Sequence, residues 1–152
     1  MQALVIYDSR FGNTRQIAEA IGKPLGERYT VSVQSIADAP VLPTDLDLLV
    51  IGGPTHAHGV SQPLKQYFKQ LPDEAMRGLP VATFDTRFRK PKLLVGAASE
   101  GIAKHVRKRG AQIVTRPESF FVAGGEGPLE PGELERAGTW AYQLVRSAAK
   151  IS

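Results

Sequence analysis

The stretch from Leu4 to Ile21 constrains the rest of the chain more than any other. Leu4-Val5-Ile6-Tyr7 is an apolar run that reads as a buried strand. Asp8-Ser9-Arg10-Phe11-Gly12 makes a tight polar turn with one glycine, and an apolar period of helical spacing follows through Ile17, Ala18 and Ile21. Asn13 and Thr14 stand where N-cap residues belong, just before that period. A strand turning directly into a helix leaves the first helical N–H groups unpaired, with the partial positive charge of the helix dipole behind them. Ser9, Asn13 and Thr14 add side-chain donors, and Gly12 lets a ligand approach the backbone. Together these features make a phosphate pocket.

Other phosphate chemistries fail on their residues. A Walker loop needs Gly-Lys-Ser/Thr at the helix start, and the lysine is missing. A dinucleotide fingerprint needs G-x-G-x-x-G, whereas this turn has a single glycine. A low-molecular-weight phosphatase needs a cysteine, and the chain has none. A receiver domain needs an aspartate after the third strand, where Gly52-Gly53 stands. Val5, Ile6, Tyr7, Ser9, Gly12, Thr14, Ala18 and Ile21 instead meet the pattern aliphatic-aliphatic-aromatic-x-Ser-x-x-Gly-x-Thr-x-x-x-Ala-x-x-Ile. With these residues the chain resembles the flavodoxin family, in which this loop holds the phosphate of FMN.

At 152 residues one domain spanning 1–152 is expected, able to bury about two-thirds of its unfolded surface. A hydrophobic share of 42% and a charged share of 22% are ordinary for a globular protein. No apolar run approaches the ~20 residues of a membrane span. Met1 lies almost on the first strand, which leaves no room for a leader, so a cytoplasmic location is expected. Without cysteine there is no disulfide framework and no thiolate metal site. Between Asp85 and Gly110 eight basic residues face two acidic ones, while the remainder holds 11 basic and 13 acidic, so one segment carries the whole net charge of +4.

The first helix is expected to end or bend at Pro24 and Gly26. Thr30–Gln34 alternates like an edge strand, and Asp47–Ile51 is a continuous apolar run suited to a central parallel strand. Leu64, Tyr67, Phe68 and Leu71 line one helix face behind Pro63. Pro80–Phe84 reads as a fourth strand, Asp85–Lys92 as a basic loop, and Leu94–Arg109 as one helix stopped by Gly110. Gln112–Thr115 and Ser119–Val122 read as one strand interrupted at Arg116-Pro117. Ala123–Gly132 is a glycine-rich loop, and Ala137, Trp140, Ala141, Leu144, Val145 and Ala148 form the face of a last helix. The fold class is therefore α/β: a three-layer, doubly wound, five-stranded parallel sheet of order 2-1-3-4-5. Its ligand belongs outside the carboxyl ends of strands one and three, where Ser9–Thr14 and the loop after Gly52 converge.

The resemblance implies two further loops around the flavin ring. Pro54, Thr55, His56, Ala57, His58 and Gly59 occupy the second, where many relatives supply an aromatic ring and then a glycine whose carbonyl turns toward N5. His56 followed by Ala57 fills those positions in the simplest alignment; His58 followed by Gly59 fills them if the loop is longer. Phe84, Asp85, Thr86, Arg87 and Phe88 form the third loop. Counting onward, the usual outer stacking tyrosine is replaced by Pro91, and Phe88 is the nearest aromatic side chain.

With these cofactor-binding residues, Ser9, Arg10, Phe11, Gly12, Asn13 and Thr14 included, the resemblance implies FMN and a monomeric electron carrier between redox partner proteins. Acidic partners would dock on the basic Arg87–Arg109 face. An FMN oxidoreductase of the quinone-reductase or protoporphyrinogen-oxidase kind is the alternative, although such reductases usually carry extra segments that are missing here. A nucleic-acid role is not expected, because the basic segment lacks the interleaved aromatics of a single-strand platform.

Overall fold

The computed structural model describes residues 1–38, 41–56 and 59–150. In chain order the elements are β1 (Gln2–Tyr7), α1 (Asn13–Leu25), β2 (Thr30–Ser35), β3 (Leu48–His56), β4 (Gly59–Val60) and α2 (Gln62–Gln70). β5 (Pro80–Phe88), α3 (Lys92–Val95), α4 (Ala98–Arg107), β6 (Gln112–Ile113), β7 (Glu118–Val122) and α5 (Glu133–Ala149) follow. The parallel sheet runs β2-β1-β3-β5, with β6 and β7 both pairing β5 beyond it. Because β5 is the fourth long strand and β6 and β7 share the fifth position, this is the expected order 2-1-3-4-5.

Alternation along the central strands decides the two layers. Val5, Leu48, Val50 and Phe84 pack with Ile17, Ile21, Trp140 and Leu144 of α1 and α5. Leu4, Ile6, Leu49 and Ile51 pack with Leu64, Phe68, Ile102 and Val106 of α2 and α4. Both faces are covered, which is why β3 reads as an unbroken apolar run. No helix among the described residues is long and apolar enough to cross a membrane.

α1 runs through Pro24 to Leu25 and ends with Gly26 as its C-cap, as expected. Two expectations change. The helix expected over 94–109 is two pieces, α3 and α4, parted at Gly96 with φ 75°. The basic loop is largely strand, since β5 pairs β7 as far as Phe88 with Val122 and only 89–91 are loop. The charged side chains of Asp85 and Arg87 disguised it, because their partners Ser99 and Ser119 lie 14 and 32 residues away.

Candidate functional site

At the carboxyl edge of β1, the turn into α1 is capped by Gly12, in the left-handed region at φ 93°, with no side-chain cap bond. A residue with a Cβ would be strained there, which explains why the cap is glycine and not the expected Asn13 or Thr14. Asn13 and Thr14 are the first two helical residues. The Asn13 Nδ2 donates to the Glu126 carbonyl at 3.1 Å. Thr14, 2% exposed, holds its Oγ1 2.8 Å from Thr86 Oγ1 of β5.

Ser9 Oγ accepts the Gly12 N–H at 3.1 Å and, more loosely, that of Arg15 at 3.4 Å. With its lone pairs so used, its own O–H is left to donate. The N–H groups of Ser9, Arg10, Phe11, Asn13 and Thr14 have no acceptor among the described residues. One proton bridges Thr14 and Thr86, leaving the other hydroxyl proton of the pair to give. α1 carries no acidic residue in its first turn. The turn is thus a cluster of donors without acceptors, backed by a helix dipole.

A cavity of about 80 Å³ opens on this turn. Ser9, Arg10, Phe11, Asn13 and Thr14 line it from the turn, Pro54, Thr55 and His56 from β3, and Thr86, Arg87 and Phe88 from β5. The second loop is a hairpin rather than a coil: β3 continues to His56 and pairs β4, His56 opposite Gly59. Ala57 and His58 lie outside the described residues.

Two residues expected here are turned elsewhere. Phe84 is fully buried, its ring packed over the bare backbone of Gly52, where a Cβ would come within 2.4 Å of it. It also makes edge contacts with Phe120 and Trp140. Asp85, also fully buried, points toward α4, where its Oδ2 accepts the Ser99 N–H at 2.8 Å. Thr55 Oγ1 accepts the neighbouring Ala98 N–H at 3.0 Å. Two strands thereby cap a helix whose own N-cap, Ala97, cannot. The Asp85 Oδ1 has no hydrogen-bond partner among the described residues and lies 4.0 Å from Arg87 Nε. Burial pushes the Asp85 carboxyl above the usual aspartate range, against the opposing pull of Ser99, Ser119 and Arg87.

The basic segment is less free than its sequence implies. Arg87, with a side chain 9% exposed, donates to Ser119 Oγ at 2.9 Å and to the carbonyls of Phe88 and Lys90. Arg89 pairs with Glu130 at 2.9 Å and stacks 4.1 Å from the Phe121 ring. Lys92 pairs with Glu100 and Arg109 donates to two backbone carbonyls. Within this segment Lys90, Lys104, Arg107, Lys108 and Arg109 are in no ion pair with a described residue, and of these Arg109 spends its donors on carbonyls. Beside Lys90, Leu93 and Leu94 of α3 are 93% and 62% exposed.

Val122 and Gly125 also line the cavity, and sequence reasoning missed both. The only signal was the density of glycine after β7, which reads as an ordinary loop.

Residues 4–126 match a protein family described as flavodoxin domain. Among solved structures, a flavodoxin from the domain Archaea superposes with TM-score 0.79 at 21% identity, over 98% of this chain and 99% of that one. Oxidised flavodoxin 1 from Bacillus cereus gives TM-score 0.78 at 18% identity, over 96% and 98%. The rubredoxin oxygen:oxidoreductase of Desulfovibrio gigas gives TM-score 0.71 at 15% identity, covering 99% of this chain and 36% of its own. At these identities the superpositions establish the shared fold.

Proposed function

The chain belongs to the flavodoxin family, and from that premise we propose that it binds FMN in this cavity and carries electrons between redox partner proteins. The observation that carries the reading is the cluster of unaccepted donors at Ser9–Thr14, which suits an oxyanion such as a phosphate. The residues present therefore fit the cofactor at its phosphate end. Ser9, Thr14 and the backbone N–H groups of the turn hold the phosphate, with Arg10 adding positive charge at its rim. His56 of β3 and Phe88 of β5 line the cavity from two different strands and would flank the ring. When bound, FMN supplies one- and two-electron transfer. The chain's own part is to hold it, orient it and shield one side from water.

The docking face is narrower than the basic segment. Lys90 and the exposed Leu93 and Leu94, next to cavity-lining Phe88, form an apolar patch with a positive rim for a partner of acidic surface.

A preparation of the protein that is yellow, and releases its chromophore with acid, supports the cofactor; apo protein that leaves FMN fluorescence unquenched overturns it. NADPH-dependent quinone turnover by the pure protein separates a reductase from a carrier. A carrier shows no turnover without a partner enzyme.

A further inference from the structure

The segment after β7 is not the plain loop its glycines imply. The Glu130 N–H donates to the Phe121 carbonyl and the Ala123 N–H to the Pro128 carbonyl, both at 2.9 Å, so 121–130 is an antiparallel hairpin. Its base is fastened twice. The buried Glu133 carboxylate accepts the Phe121 N–H at 2.7 Å, and Arg89 reaches across from the loop after β5 to Glu130 at 2.9 Å. Its tip is fastened once, to the donor turn: Asn13 Nδ2 donates to the Glu126 carbonyl at 3.1 Å. The packing there is close, since a Cβ on Gly127 would lie 2.6 Å from Asn13 Oδ1. The tip thus rests on the first residue of α1, beside the unaccepted N–H groups, and Gly125 faces the cavity.

Resting on the reading that the cavity takes FMN, we propose that this hairpin is a fourth wall of the cofactor site, latched through Asn13, and that it sets which flavin is kept. A flavin ending in a monophosphate fits beneath the tip. One continued through a diphosphate to a nucleotide must displace it. Asn13 is in this sense a positioning residue, acting through the hairpin.

The test is titration of apo protein with FMN, FAD and riboflavin, followed by flavin fluorescence, in three chains. One is the unaltered protein, the second is Asn13→Ala, and the third has Gly124–Gly127 replaced by an Asn-Gly turn, which two-residue hairpins accept. The unaltered protein is expected to favour FMN over FAD by about a hundredfold or more, and each variant to lose about tenfold of that ratio, chiefly by gaining FAD. A weakened phosphate contact alone lowers both phosphorylated flavins and leaves the ratio unmoved. If the ratio is the same in all three chains, or the unaltered protein binds FAD as well as FMN, the hairpin proposal fails while the cofactor reading stands. If the unaltered protein binds no flavin, both fail.

Discussion

α1 and α4 both present their N-termini at the carboxyl edge of the sheet, yet one is open and the other is closed. At α4 the first two N–H groups are taken by Thr55 and Asp85, and Glu100 adds a carboxylate in the first turn. At α1 the equivalent groups of Asn13 and Thr14 meet no acceptor among the described residues, and no acidic residue stands in the first turn. Backbone and dipole are the same in both. What differs is whether side chains from neighbouring strands have already supplied the acceptors. Cavity size does not make this distinction. A larger cavity, about 570 Å³, lies at the opposite edge among Tyr29, Leu42, Leu79 and Pro80. Two of its charged groups are already engaged, Asp47 by the Gln2 N–H and Arg77 by Glu74.

Closing α1 in the manner of α4 breaks the contrast most severely. Nothing lies within 4 Å of a Cβ built on Gly12, so Gly12→Asp is accommodated apart from its positive φ. A carboxylate ~5 Å from a phosphate dianion opposes binding by roughly 2–7 kcal/mol for an effective dielectric between 80 and 20. FMN affinity is expected to fall at least about thirtyfold beyond that of Gly12→Asn, which carries the same backbone strain without the charge. Riboflavin should bind the two variants alike. Equal FMN affinities would show that the open terminus is not the phosphate site.

The next effect is smaller. Thr14→Ala removes one hydroxyl from the Thr14–Thr86 pair, and a hydrogen bond to a charged group contributes about 1.5–3 kcal/mol. FMN should bind roughly tenfold or more weakly by fluorescence titration, with Thr14→Ser restoring most of the loss. An unchanged constant would assign the phosphate to the backbone alone.

How much of this contrast the sequence disclosed follows from the distance over which each part is made. The β1–turn–α1 unit was legible because its strand, glycine and donors are contiguous. The closed terminus was not: Ala97 is no cap, and the caps on Ala98 and Ser99 come from residues 43 and 14 positions away. Read locally, Asp85 and Arg87 are loop charges, so the continuation of β5 through them was hidden. The hairpin wall was hidden for the same reason, since Asn13 meets Glu126 across 113 residues. Composition likewise overstated the basic face, because a charge count does not register that Arg87 and Arg89 are spent on β7 and Phe121.

Opening α4 should matter less than closing α1. Thr55→Val is nearly isosteric and leaves the Ala98 N–H unpaired, at a cost of about 1 kcal/mol. For a chain of this size that is a fall in Tm of roughly 2–4 °C. FMN affinity should change by less than in Thr14→Ala. A larger loss of affinity than of stability would mean that Thr55 touches the ring instead of serving mainly as a cap.

The smallest effect, and the one most specific to its cause, is in the pH dependence contributed by Asp85. Its folded carboxyl titrates above its ordinary value of 3.8, so between those two values the folded chain holds a proton that the unfolded chain has released. Stability therefore declines as pH rises through that window. The contribution is complete below the ordinary aspartate range and is lost once pH passes the raised folded value. Asp85→Asn keeps an acceptor for the Ser99 N–H and removes the buried charge, so it should lack this decline. Plotted from about pH 4 to about pH 8, the Tm of the variant relative to the native chain should climb and then level off. If the difference is flat, or falls with pH, the carboxylate is ionised at little cost. α4 would then be closed by a full negative charge, which sharpens the contrast with α1 into one of charge alone.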